Sequence, residues 1–190
     1  MFNSKLQILV VDDEPSLRAM LSISLRELGY EVRSAADGFS ALSEMRDTVP
    51  DILISDLNMP CISGFELLSI VRRRFPSIPV IAMSGAFPDK KMPECVAADC
   101  FYEKGSGIYP LLKAIATFPL DLQMHRAEAP IWIAQNGYDS AGEAYITMTC
   151  PECLREFPHA LGASHDPISS TVCVHCGISI PFAVATARFA

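Results

Sequence analysis

The chain lacks any apolar run approaching the about 20 residues that a bilayer crossing needs, although 50% of its 190 residues are apolar. Its opening stretch, MFNSKLQILVVDDEP, holds one lysine and a short apolar run ending in acids, which is not the pattern of a secretory signal. It also lacks a basic excess: the net charge is −7, so no general attraction to nucleic acid or anionic lipid is expected. No internal repeats or low-complexity tracts are present. The expectation is a soluble, cytoplasmic chain without a membrane partner, long enough for one ordinary domain and a small second one. In a reducing compartment its seven cysteines are not expected to form a disulfide framework.

What is there, over the first two-thirds, is an alternation of short apolar runs with helical patterns, the signature of a parallel sheet covered by helices. Leu6 to Val11, Tyr30 to Ser34, Ile52 to Ser55, Ile78 to Met83 and Asp99 to Tyr102 read as five strands. Between and after them, Leu17, Met20, Leu21, Leu25 and Leu28, then Ala41, Leu42 and Met45, then Phe65, Leu67, Leu68 and Val71, and finally Leu111, Leu112, Ile115 and Phe118 recur at helical spacing. Pro88 and Pro93 predict a short or irregular helix between the fourth and fifth strands. Arg72, Arg73 and Arg74 close the third helix, where cations suit the helix dipole, and read as a solvated end. The fold class is α/β: a doubly wound parallel sheet of five βα units over residues 1–119, a linker with one strand around Ile131 to Ile133 over 120–143, and a small β-rich module over 144–190.

The carboxyl ends of strands in such a sheet share one edge, where ligands bind near the switch in strand order. Asp12 and Asp13 follow the first strand and Asp56 ends the third, so three carboxylates converge. Two such charges about 4 Å apart repel by about 4 kcal/mol at an effective dielectric of about 20. A hard divalent cation removes that repulsion, and Mg2+, which binds through one or two carboxylates, waters and a phosphate, fits the donors. Ser84 at the end of the fourth strand offers a hydroxyl, and Lys104 after the fifth offers a cation for phosphoryl oxygens. The set suits phosphoryl transfer to a carboxylate. An isolated Asp after a strand is ordinarily a cap or turn residue; the combination in register carries the argument.

The runs LVVDDEP, DILISDLNMPCISG, PVIAMSG and DCFYEK resemble the response-regulator receiver domains of two-component systems, over about residues 5 to 119. The resemblance implies a flavodoxin-like (βα)5 fold and a phosphoryl group accepted on Asp56 from a sensor histidine kinase or phosphotransfer protein. It implies Mg2+ held by Asp13, Asp56 and the backbone carbonyl of Asn58, with Asp12 acting mainly through water. It implies Ser84 and Lys104 as phosphoryl-binding groups, and Phe101 as the aromatic that turns inward when Ser84 moves. Slow self-dephosphorylation is the only catalysis it implies. The sequence departs from the family in three ways: Gly105 follows the lysine where the family usually has proline, the run Val96-Ala97-Ala98-Asp99 lacks the glycine often seen before the fifth strand, and prolines break the fourth helix on the face many receivers use for output.

Cys150, Cys153, Cys173 and Cys176 form a CxxC–x19–CxxC array, with Gly177 suited to the tight turn after the second pair. Two such knuckles aim four thiolates at one ion, the tetrahedral set preferred by structural Zn2+. The module looks like a zinc ribbon, with strands near Tyr145 to Thr149, Ser170 to Val172 and Ile178 to Phe182. A rubredoxin-like iron site would use the same ligands. For a module this small, metal supplies folding energy that a core alone seldom provides. Cys61, Cys95 and Cys100 read as small buried hydrophobes.

Three functions fit these parts. The first is a signalling switch whose phosphorylation changes a surface read by an output protein, with the cysteine module serving docking or oligomerisation, a homodimer included. The second is a transcription regulator using the ribbon on DNA; charge opposes it, because from residue 121 onward seven acids stand against three arginines. The third is a phosphatase with an aspartate nucleophile, which such families equip with a second acid two residues on; here Asn58 stands there.

Overall fold

The computed structural model describes residues 5–85, 96–118, 130–134, 137–138, 144–161 and 168–185. Five strands form one parallel sheet: β1 (Gln7–Val11), β2 (Glu31–Ala35), β3 (Ile52–Asp56), β4 (Val80–Ser84) and β5 (Cys100–Glu103). Their order is β2-β1-β3-β4-β5, so the order reverses between β1 and β3. This is the doubly wound flavodoxin-like arrangement the alternation predicts. Four helices accompany it among the described residues: α1 (Pro15–Glu27), α2 (Gly38–Asp47), α3 (Gly64–Arg74) and α4 (Ile108–Thr117). The predicted helix around Pro88 and Pro93 lies outside the described residues.

Local chemistry sets the helix starts. Pro15 occupies the first turn of α1, where a missing N–H costs nothing. The Asp37 carboxylate accepts from Ser40 N at 2.7 Å to cap α2, and Ser63 Oγ accepts from Glu66 N at 3.3 Å to cap α3. Alternation along the strands then divides the core. Ile8, Val10, Ile52, Ile54, Ile81, Met83 and Tyr102 pack with Leu21 and Leu25 of α1 and Leu111 and Ile115 of α4. Leu9, Val11, Leu53, Val80 and Ala82 face the other way, toward α2 and α3.

The C-terminal part contains β6 (Ile131–Ala134), β7 (Gly137–Tyr138), β8 (Ala144–Thr149), β9 (Glu156–Ala160), β10 (Ser169–Val172) and β11 (Ser179–Ala185). They make two three-stranded sheets, β10-β11-β6 and β7-β8-β9. The strand β9, with Pro158 inside it, has no counterpart in the sequence reading; it lies at a sheet edge, where proline is tolerated. Ile131, Ile133, Ile146, Met148, Phe157, Ile180 and Phe182 join the core that lies over α2 and α3, so the module is packed against the parallel sheet's helices.

The structure corrects two expectations. Arg72 is not solvated: it is 1% exposed, and its Nη2 meets Asp99 Oδ2 at 2.6 Å while Nη1 donates to the Pro76 and Ile78 carbonyls. Arg74, at the exposed end, is also committed, donating to the carbonyls of Pro151 and Glu152 at 3.0 and 2.9 Å. Cys61 is not a buried hydrophobe either; it is exposed, at φ 65° in the loop between β3 and α3. Cys100 is half-buried, and Cys95 lies outside the described residues.

Candidate functional site

The carboxyl ends of β1 and β3 lie side by side, with Val11 paired to Ser55. Asp12 and Asp56 are buried just beyond that pair, and Asp13 beside them is exposed. Carboxylate oxygens of Asp12, Asp13 and Asp56 all lie within 4.8 Å of one another. The turn after β1 is tied down by Asp12 itself: its Oδ1 accepts from Glu14 N at 2.9 Å, and its carbonyl accepts from Arg18 Nη1 at 2.6 Å.

Lys104 follows β5 and closes the site. Its backbone N–H donates to the Ser84 carbonyl at 2.9 Å, fixing the chain beyond β5 against the end of β4. Its Nζ stands 2.8 Å from Asp12 Oδ2 and 2.8 Å from Asp56 Oδ2. Burial opposes the charge on Lys104, but bonds to the two carboxylates outweigh it and hold the ammonium above its ordinary pKa. Burial pushes the Asp56 carboxyl up and Asp12 adds to the push; Lys104 works against both without cancelling them. Gly105 then turns the chain at φ 85°, and Ser106 N returns to the Glu103 carbonyl at 3.2 Å.

The remaining predicted residues fall around this centre. Ser84 ends β4 and is buried at the same sheet edge. Phe101 is paired with Ala82 and packs, half-buried, against the core on the α2 and α3 side. Asn58, two residues past Asp56, is exposed in the following loop. That loop is held tightly: a Cβ on Gly64 would lie 2.0 Å from the Asp56 carbonyl oxygen and 2.5 Å from Leu57 Cα, so only glycine lets α3 begin where it does.

Three carboxylates and one ammonium leave two negative charges in the cluster. Asp56 Oδ1 is buried with no hydrogen-bond partner, a costly state that an added cation would relieve. Charge, hard oxygen donors and an unused lone pair therefore all fit a magnesium ion.

The four predicted cysteines also converge, with Sγ atoms within 4.8 Å of one another. Cys150 Sγ lies 3.7 Å from Cys176 Sγ, and Cys153 Sγ 3.7 Å from Cys173 Sγ. These separations exclude disulfides, whose S–S bond is about 2.05 Å. They match the edge of a tetrahedron with metal–sulfur bonds of about 2.3 Å, which is about 3.8 Å. The two knuckles are alike: Leu154 N bonds to the Cys150 carbonyl at 2.9 Å, and Gly177 N to the Cys173 carbonyl at 2.9 Å. Leu154 and Gly177 have φ of 55° and 76°, the left-handed turn that aims both sulfurs inward. Burial raises the Cys173 thiol, but backbone N–H groups of His175 and Cys176 outweigh it and bring it down to about 6. Burial pushes Cys150 up to about 12. A metal that holds all four as thiolates must overcome that second cost.

One buried acid had no signal in the sequence. Glu66, on α3, is 3% exposed and accepts from Thr149 N at 2.6 Å, beside the first knuckle. Its spacing on the helix reads as solvent-facing, and its bonding partner comes from the distant strand β8.

Comparison with known proteins agrees with this geometry. Residues 8–104 match the family described as Response regulator receiver domain. Protein PilG of Pseudomonas aeruginosa is 34% identical over 115 residues, covering 58% of this chain and 84% of PilG. Sensor protein EvgS of Escherichia coli O157:H7 is 43% identical over 76 residues, covering 40% of this chain and 6% of EvgS, so the chain spans a small fraction of that relative. Among solved structures, the response regulator TrrA of Thermotoga maritima, in complex with Mg(2+)-BeF, aligns with a TM-score of 0.55 at 32% identity, covering 60% of this chain and 97% of TrrA. With its parallel sheet, acidic cluster and bridging lysine in place, the chain belongs to the response regulator receiver domain family, and it carries a four-cysteine module compatible with a zinc ribbon behind that domain.

Proposed function

We propose that this chain works as a phosphorelay response regulator: Asp56 accepts a phosphoryl group, and the change switches a protein-binding surface, with the cysteine module held together by structural zinc. Receiver domains are signalling proteins phosphorylated by sensor histidine kinases, so the donor is a phosphohistidine on such a kinase or on a phosphotransfer protein. The observation that carries the reading is the meeting of Asp12, Asp13 and Asp56 within 4.8 Å, with Lys104 Nζ 2.8 Å from two of them.

In this reading an Asp56 oxygen bonds to phosphorus as the phosphorus–nitrogen bond of the phosphohistidine breaks, and the imidazole leaves with its electron pair. Asp12, Asp13, Asp56 and the Asn58 carbonyl would hold Mg2+, which supplies positive charge against the anionic oxygens in flight. Lys104 trades its contact with the Asp56 carboxylate for one with a phosphoryl oxygen. Ser84 binds another, and its displacement toward the acyl phosphate leaves room for Phe101 to turn inward. The four sulfurs saturate their ion, so that metal is structural and has no open position for chemistry. Charge argues for a protein as the output partner: the C-terminal part has seven acids against three arginines.

The test is labelling with acetyl phosphate and Mg2+, read by intact mass. Wild type should gain one phosphoryl group and Asp56→Asn none; equal labelling of the variant would put the acceptor elsewhere.

A further inference from the structure

Helix α3 touches both sites. At its start, Gly64 N donates to the Leu57 carbonyl at 3.1 Å, and the glycine sits so close to the Asp56 peptide that no Cβ fits between them. Two residues on, Glu66 Oε1 accepts from Thr149 N, of the residue before Cys150, at 2.6 Å. Then Ser69 Oγ accepts from Trp132 N at 3.2 Å. At its far end, Arg74 Nη1 donates to the Pro151 and Glu152 carbonyls, the two residues inside the first cysteine knuckle. Eleven residues at about 1.5 Å each make a rod about 16 Å long. Residues 64 to 72 of it are all buried, so it is gripped on every side.

We propose that this helix couples the two sites, making metal binding by the four cysteines and phosphorylation of Asp56 energetically linked. The inference rests on the functional reading above. The physical reason lies in the contacts. Any shift of the β3–α3 joint on phosphorylation moves Gly64 and, with it, the Glu66 carboxylate that orients the chain entering Cys150. Closing four sulfurs on an ion fixes the Pro151 and Glu152 carbonyls, and Arg74 passes that constraint back to α3. A packed interior transmits such displacements instead of absorbing them. Linkage is reciprocal, so the receiver would report metal status and the metal site would report phosphorylation.

The experiment uses the full chain loaded with Zn2+. Zinc affinity is measured by competition with a chromogenic chelator, with Mg2+ alone and with Mg2+ plus acetyl phosphate at steady-state labelling. The expected result is a change of at least about fivefold, the lower end for coupled sites, which disappears in Asp56→Asn. In Glu66→Ala/Arg74→Ala the change should fall toward one while zinc and label are each still taken up. A wild-type affinity that is the same in both conditions, with zinc and label present, overturns the coupling. An undiminished change in the double variant overturns the route through α3. A chain that takes no label or no zinc, read in the intact mass before chelator is added, overturns the functional reading and this inference with it. The wild-type comparison stands by itself if the double variant does not fold.

Discussion

Replacing Glu66 by glutamine should make the protein more stable at alkaline pH and leave it nearly unchanged in acid. Burial raises the Glu66 carboxyl to about 7 from 4.5, and the Thr149 N–H, which favours the charged form, only partly offsets it; Glu156 adds to the rise. A carboxyl whose folded pKa is raised binds more protons in the native state than in the unfolded chain. Stability therefore falls as pH rises from the unfolded value to the folded one, and is level on either side. A rise of between two and three pKa units corresponds to about 3 kcal/mol, and at 3% exposure little is lost to solvent screening. Glutamine keeps an acceptor for Thr149 N and cannot ionise. Denaturant unfolding of both proteins, metal-loaded, should show the variant's advantage widening by about 2–3 kcal/mol between about pH 5 and about pH 8. Taking the difference cancels the titration of the cysteines, which both chains share. A constant difference across that range would mean that Glu66 stays hydrated, and the packing of the module on α3 would be wrong.

Gly64→Ala should destabilise the protein by about 3 kcal/mol or more and slow labelling, because the clash is with backbone of the acceptor residue and no side chain can yield; thermal melting and intact mass check it. Asp99→Ala should cost about 3–5 kcal/mol by stranding Arg72, and adding Arg72→Met should recover most of that, as measured by urea unfolding. Cys173→Ser should release the metal, read as zinc content in native mass spectrometry; unchanged content would refute the four-sulfur site.

The receiver half was legible from the sequence because its cues are local and periodic. Runs such as LQILVV and DILIS can be satisfied only as strands buried on both faces, and each ends in the polar residue that faces the shared edge. The order of Asp12, Asp56, Ser84 and Lys104 along the chain matches the order in which strands reach that edge. The cysteine spacing was equally legible, since two short knuckles on one ion need only four sulfurs and tight turns.

What the sequence could not decide is where the second part rests. Glu66, Ser69, Arg72 and Arg74 are polar residues on a helix whose apolar positions already account for its contact with the sheet, so periodicity assigns them to water. Glu66 and Ser69 are buried and bond to Thr149 and Trp132, Arg72 is buried with Asp99 as its ion-pair partner, and Arg74, though exposed, reaches the Pro151 and Glu152 carbonyls; each of these partners is 25 or more residues away. Helical spacing reports one covered face; a second cover supplied by a distant segment leaves no period of its own. The Lys104 bridge between Asp12 and Asp56 is of the same kind, because it depends on three strand ends being brought within one ammonium's reach. Composition and order chose the parts and their chemistry, while packing decided that both sites would share one helix.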